Sequence, residues 1–221
     1  MQLTFRWLLI LGSCLIASTA HAVAEEAPRI VLFDGKTFTG WEGDTEKTWR
    51  IEDGALVAGS LETTVPRNEF LATTRQFENF DLRLKYKLTG VEGFINGGVQ
   101  FRTQRIPNHH EVRGYQADLG AGYDGHLYDE SRRNRMLAVP DKETVAKALK
   151  PDDWNEYRIR AEGPRIRLWL NGVQTVDYTE EDPNIPRQGV IALQIHGGCK
   201  AIVRYKDISI QELPPSDAAT P

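Results

Sequence analysis

From Phe80 to Leu88 apolar and polar residues alternate strictly: Phe80, Leu82, Leu84, Tyr86 and Leu88 against Asp81, Arg83, Lys85 and Lys87. Side chains two apart share one face of a strand, so this segment reads as a half-buried antiparallel strand. The same period recurs in EYRIRAEG (156–163) and RIRLWLNG (165–172), joined at Gly163-Pro164. Asn171-Gly172 then leads into VQTVDY, the dipeptide and spacing of a tight hairpin. WRIEDGALVAG (49–59) is a strand, a turn at Asp53-Gly54 and a strand, while 189–197 and 201–213 supply two more. One segment has a helical period. From Asp141 to Lys150, Val145, Ala148 and Leu149 fall on one stripe, with Asp141 placed to cap and Pro151 to stop the helix. About a dozen short strands with turn signals and one short helix predict an all-β domain, two antiparallel sheets packed as a sandwich. No repeat of fixed period appears, which argues against a propeller or a β-helix.

The ends of the 221-residue chain do not follow this pattern. Met1 to Ala22 carries one early charge (Arg6), an apolar run from Trp7 to Ile16, and small residues ending Ala20-His21-Ala22. This reads as a secretory signal peptide, too short in its apolar part to span a bilayer. The protein is therefore expected to be secreted or periplasmic. Leu11-Gly12-Ser13-Cys14 also resembles a lipobox, a lesser alternative that would anchor the chain through Cys14. Residues 23–29 read as a spacer, 30–213 as the folded domain, and 214–221 (PPSDAATP ends the chain) as a disordered tail. Without the leader only Cys199 remains, so no intramolecular disulfide can form, and Cys199 is expected to be buried and inert. Losing Arg6 takes the formal charge from −4 to −5. Mild acidity disfavours nucleic acid as a partner and, with no spanning segment, gives no reason to expect a membrane.

Several phrases occur together in a telling order: VLFDGKTFTGW (31–41), WRIEDGALVAG, NFDLRLKYKL (79–88), NGGVQFR (96–102), GYQADLG (114–120), DWNEYRIRAEG (153–163), IRLWLNG (166–172), GVIALQIHGG (189–198) and VRYKDISIQEL. The set resembles the bacterial 3-keto-disaccharide hydrolase domain family, once called domain of unknown function 1080, and covers the whole core. The resemblance implies a concanavalin A-like (laminin G-like) jelly roll whose concave sheet can hold a sugar. It also implies an enzyme that cleaves glycosides whose glucose ring is a ketone at C3. Separately, no residue pattern in the chain calls for a cofactor, and none is expected. One departure stands out. Many family members carry a glutamate two residues after the glycine of the GY phrase and a glutamine two further on, where this chain has Gln116 and Asp118.

The residues themselves suggest a site. Gln100 and Arg102, Gln116 and Asp118, Tyr128 and Glu130, and Gln194 and His196 are pairs two apart, each sharing a face. They alternate with apolar partners such as Val99, Phe101, Ala117, Leu119, Leu193 and Ile195. The polar set should therefore lie on an outer face, and lysine, the usual solubilising residue, is absent from it. A base can remove the proton made acidic by a C3 ketone, and hydrogen-bond donors can hold the enolate. On this reading His196 or Asp118 is the base, Arg102 and Gln116 contact the carbonyl oxygen, and Glu130 or Tyr128 protonates the leaving group. Gln194, Asn96 and Gln100 bind sugar hydroxyls, and Trp169 is the stacking platform, since it shares a face with Arg167 and Asn171.

Each residue has a structural alternative. Arg102 could be an ion-pair partner, Asp118 an acceptor for backbone donors, and His196 a strand-end histidine on a carbonyl. Tyr128 and Glu130 could line a solvated hairpin, and Asn96 could be a turn residue. Trp41 and Trp154 read as core, and Arg132, Arg133 and Arg135 as a rim. His109-His110-Glu111 lacks a metal-ligand spacing, so no metal is expected, although a structural calcium has no spacing signature to look for. A non-catalytic carbohydrate-binding module on the same fold is the rival reading.

Overall fold

The computed structural model describes residues 27–215, so the leader expected at 1–22 and the end of the tail lie outside the described residues. Fifteen strands and one helix follow in chain order: β1 (Ile30–Val31), β2 (Trp41–Glu42), β3 (Trp49–Glu52), β4 (Ala55–Ser60), β5 (Glu69–Thr73), β6 (Phe80–Gly93), β7 (Asn96–Arg105) and β8 (Val112–Gly120). Then come β9 (Leu127–Glu130), β10 (Arg135–Ala138), α1 (Lys142–Ala148), β11 (Asn155–Glu162), β12 (Arg165–Leu170), β13 (Val173–Thr179), β14 (Val190–Ile195) and β15 (Cys199–Glu212). One sheet runs β13-β12-β11-β6-β15-β4-β3, with β1 added beside β15. The other runs β10-β9-β8-β7-β14-β5-β2. Among the described residues every strand pairing is antiparallel, as hairpin-rich alternation requires.

The alternation read from the sequence sets the core. Phe80, Leu82, Leu84 and Tyr86 of β6 are buried, with Tyr157, Ile159 and Ala161 of β11 beside them. They face Val99, Phe101, Ala117, Leu119, Leu127 and Leu193 of the second sheet. Asn171 and Gly172 both take positive φ, as do Asp53 and Gly54, which gives the two-residue turns whose twist matches paired strands. The helix has the predicted cap: the Asp141 carboxylate accepts the Thr144 backbone N–H at 2.8 Å. Among the described residues no helix is long and apolar enough to cross a membrane.

Three tyrosines of the first sheet reach across the core. The Tyr205 hydroxyl donates to the carbonyls of Gly98 (3.1 Å) and Gln194 (2.8 Å). The Tyr157 hydroxyl donates to the Asp118 carbonyl and accepts the Gly125 N–H at 2.6 Å. The Tyr86 hydroxyl donates to the Asp124 carboxylate at 3.1 Å. All three therefore hold backbone or turn atoms directly beneath the polar outer face of the second sheet.

Candidate functional site

The register puts the polar residues in rows. Phe70, Gln194, Gly98 and Asp118 stand side by side across β5, β14, β7 and β8. Ala72, Ala192, Gln100, Gln116, Tyr128 and Met136 form the next row, and Glu130 follows two residues beyond Tyr128. Although this is an outer face, Gln100 and Gln194 are 0% exposed and Asp118 is 4% exposed. The Gln194 amide donates to Glu130 at 3.4 Å, although β7 and β8 lie between their strands. Strands about 4.8 Å apart put β14 and β9 about 14 Å from each other, so such a contact needs the face to curl inward. Gly98 helps to make room, since a Cβ there would stand 2.5–2.8 Å from the Gln116 side chain.

Asp118 closes one end of this floor. One carboxylate oxygen accepts the Asn96 amide at 2.9 Å and the Leu119 N–H at 3.1 Å. Burial still outweighs these bonds and pushes the carboxyl up to about 7. At the other end burial, and then the charge of Glu111, push Glu130 up to about 7 as well. Between them lie amides, with Gln100 donating to Gln116. The Oε1 atoms of Gln100 and Gln194 and the Oε2 of Glu111 are buried with no hydrogen-bond partner. Buried acceptors of this kind are rare and call for donors, which a hydroxyl-rich ligand would bring.

His196 lies beyond the Asp118 end. Its backbone N–H donates to the Asn96 carbonyl at 3.1 Å, which ties it to the start of β7. Its Nδ1 faces the Gly197 carbonyl at 2.6 Å, a contact that needs a proton on Nδ1. The structure therefore brings Asn96, Gln100, Gln116, Asp118, Tyr128, Glu130, Gln194 and His196 to one face.

Two expected members lie elsewhere. Arg102 does not share the face of Gln100, because it has φ +47° inside a bulge between Phe101 and Gln104. The extra residue turns its side chain inward. There it donates to the carbonyls of Glu78 (2.8 Å) and Gly163 (2.7 Å) and to the Asn79 side chain (3.1 Å). Trp169 stands on the outer face of the opposite sheet, with the guanidinium of Arg158 4.6 Å and that of Arg167 5.8 Å from its ring. Alternation placed it on an outward face but could not say which sheet that face belonged to.

Other readings are also corrected. Trp154 is half-buried, not core, with the Lys206 ammonium 4.1 Å from its ring. Arg132 and Arg133 are not a free rim. They bind the fully buried Asp129, and Arg133 also binds Glu180, which accepts the Tyr115 hydroxyl at 2.7 Å. Cys199 is buried, as expected. Among the described residues no group of three His, Cys, Asp or Glu side chains could hold a metal ion.

Sequence reasoning missed Glu111, which stands against Glu130 and is held by the Asn68 amide at 3.2 Å. Its only signal was the His109-His110-Glu111 run, which suggests a metal rather than a carboxyl partner. Phe94, Tyr123 and His126, in the turns beside Asn96 and Asp118, also carried no periodic signal.

The chain is similar to several known proteins. A 3-keto-disaccharide hydrolase of Bacteroides thetaiotaomicron is 25% identical over 176 residues, covering 67% of this chain. The match spans 58% of that relative's length. A candidate glycosyl hydrolase from Parabacteroides distasonis shares the fold with a TM-score of 0.63 at 20% identity, covering 84% of this chain and 94% of that one. A carbohydrate-binding module from Bacillus subtilis does so with a TM-score of 0.61 at 15% identity, covering 78% and 96%. Residues 28–211 match the family described as the 3-keto-alpha-glucoside-1,2-lyase-like domain, and the chain belongs to that family.

Proposed function

We propose that this protein cleaves 3-keto-glucosides by elimination and hydration. The observation that carries this reading is the pair Asp118 and Glu130, both raised to about 7 at the two ends of one amide-lined floor. At neutral pH such a pair can hold one carboxylate and one carboxylic acid, which is what paired proton transfer requires.

The C3 ketone acidifies the C2 hydrogen. The carboxylate takes that proton, and the electron pair moves into an enolate whose oxygen accepts amide N–H bonds from the glutamine floor. The C1–O bond then breaks, and the carboxylic acid gives its proton to the departing oxygen. Water adds across the resulting C1=C2 bond, hydroxyl to C1 and hydrogen to C2, completing net hydrolysis. Arg102 takes no part, because its guanidinium is committed to backbone carbonyls. Export through the leader read at 1–22 belongs to the same proposal, and N-terminal sequencing of the mature protein would test it.

The fold shared with a binding module supports a second reading, saturable glycan binding without chemistry. One experiment separates them: incubate the protein with a 3-keto-glucoside and with its unoxidised parent, and follow release of the alcohol. Release from the keto sugar alone is the expected result. Binding of the parent without release from either would leave the binding module.

A further inference from the structure

Phe94 and Tyr123 are 43% and 36% exposed, among the few large apolar side chains at the described surface, and they lie together. Their ring centroids are 6.0 Å apart. Phe94 meets the His196 ring edge-on at 4.9 Å, and Tyr123 meets His126 edge-on at 5.7 Å. The four rings come from three turns gathered at one end of the second sheet. The β6–β7 turn carries Phe94, the β8–β9 turn carries Tyr123 and His126, and His196 follows β14. That end is the Asp118 end. The Asp118 N–H donates to the His126 carbonyl at 3.1 Å, and the Tyr123 N–H donates to the Gly120 carbonyl at 2.9 Å. Phe94 also walls a recess of about 440 Å³, where Asp124 and Lys150 offer polar partners.

From this arrangement we propose that the Phe94–Tyr123 strip is the subsite for the leaving sugar ring of a disaccharide, which makes Asp118 the acid and Glu130 the base. The inference rests on the reading above. The reacting ring must lie on the amide floor between the two carboxyls, because proton transfer needs heavy-atom contacts of about 3 Å at adjacent carbons. The strip lies outside that floor, so the ring it stacks is the next one. In a disaccharide oxidised on its non-reducing ring, the C1–O bond of the keto ring breaks and the next ring departs with the glycosidic oxygen, O1. The carboxyl nearest the strip is then the one beside O1. A pyranose presents polarised C–H bonds on its flat face, which suits the electron-rich faces of aromatic rings.

Two measurements test it. First, kcat/KM is compared for 3-keto-maltose and methyl 3-keto-α-glucoside in wild type, Phe94→Ala, Phe94→Tyr and Tyr123→Ala. The expected result is a drop for the disaccharide that exceeds the drop for the methyl glycoside by about 3- to 10-fold in each alanine variant, with Phe94→Tyr restoring the ratio. Equal drops, or none, overturn the subsite. Second, Asp118→Asn should lose at least 100-fold on the methyl glycoside yet only a few-fold on 4-nitrophenyl 3-keto-α-glucoside, whose leaving group needs no proton, while Glu130→Gln loses both. Equal loss on both substrates by Asp118→Asn overturns the acid assignment. If wild type turns over no keto glycoside, the reading above fails. The strip is then judged by calorimetry, where Phe94→Ala weakening maltose more than methyl glucoside supports it and equal effects overturn it.

Discussion

Asp118 and Glu130 differ from the surface carboxylates because burial penalises their charged forms more than their hydrogen bonds reward them. Their cost to stability has a definite sign. In the unfolded chain these groups ionise near 4, whereas in the folded protein they hold the proton up to about 7. Between these values the folded state binds more protons, so stability is full below about 4 and is lost as pH rises through 7. Asp118→Asn keeps an acceptor for Asn96 and Leu119 without the charge. It should unfold at higher denaturant than wild type at pH 8, by on the order of 2–4 kcal/mol, with the gap closing near pH 4. A gap independent of pH would show that the carboxyl is not held protonated. In activity, kcat/KM should trace a bell with its maximum near 7, because the pair works only with one group charged and one protonated.

At the scale of the element, the bulge in β7 separates what the alternating pattern joins. Gln100 stays on the floor, and Arg102 turns into the core edge. Bonds to Glu78, Gly163 and Asn79, the last two buried, make Arg102 a clamp between the sheets. Arg102→Ala takes that donor from the Glu78 and Gly163 carbonyls, while Asn79 keeps the Gly163 N–H at 2.8 Å, and it should cost about 3 kcal/mol in urea denaturation, with Arg102→Lys unable to recover more than a part. A variant as stable as wild type but catalytically dead would return the residue to the site. Gly98 makes a complementary case. A methyl group there pushes Gln116 off the floor, so Gly98→Ala should fold with normal thermal stability to within a few degrees yet lose kcat/KM at least tenfold. Unchanged turnover would mean that Gln116 does not hold the substrate.

Across the whole molecule, one sheet supports the site carried by the other. Tyr157 and Tyr205 belong to β11 and β15, yet their hydroxyls bond the backbone of β7, β8, β14 and the turn at Gly125. Tyr157→Phe leaves a buried N–H and carbonyl without that partner. It should cost about 1–3 kcal/mol and speed amide exchange at Gly125 before exchange rises elsewhere. Uniform acceleration over both sheets would instead mark a general loss of stability, with no special support for the site.

Residue order alone was enough to read the strand pattern, the hairpin turns at Asp53-Gly54 and Asn171-Gly172, the capped helix at Asp141, and the polar face that holds Gln100, Gln116, Asp118, Tyr128, Glu130 and Gln194. These are local properties: alternation follows from the two-residue period of the strand, and turn residues from positive φ. Long-range packing set which sheet each outward face belongs to, so that Trp169 lies opposite the site. The same packing removes Arg102 at a bulge, stands Glu111 against Glu130, and gathers Phe94, Tyr123 and His196 from three separate turns. None of these has a short-range signal, because each depends on how distant segments pair, bend and pack.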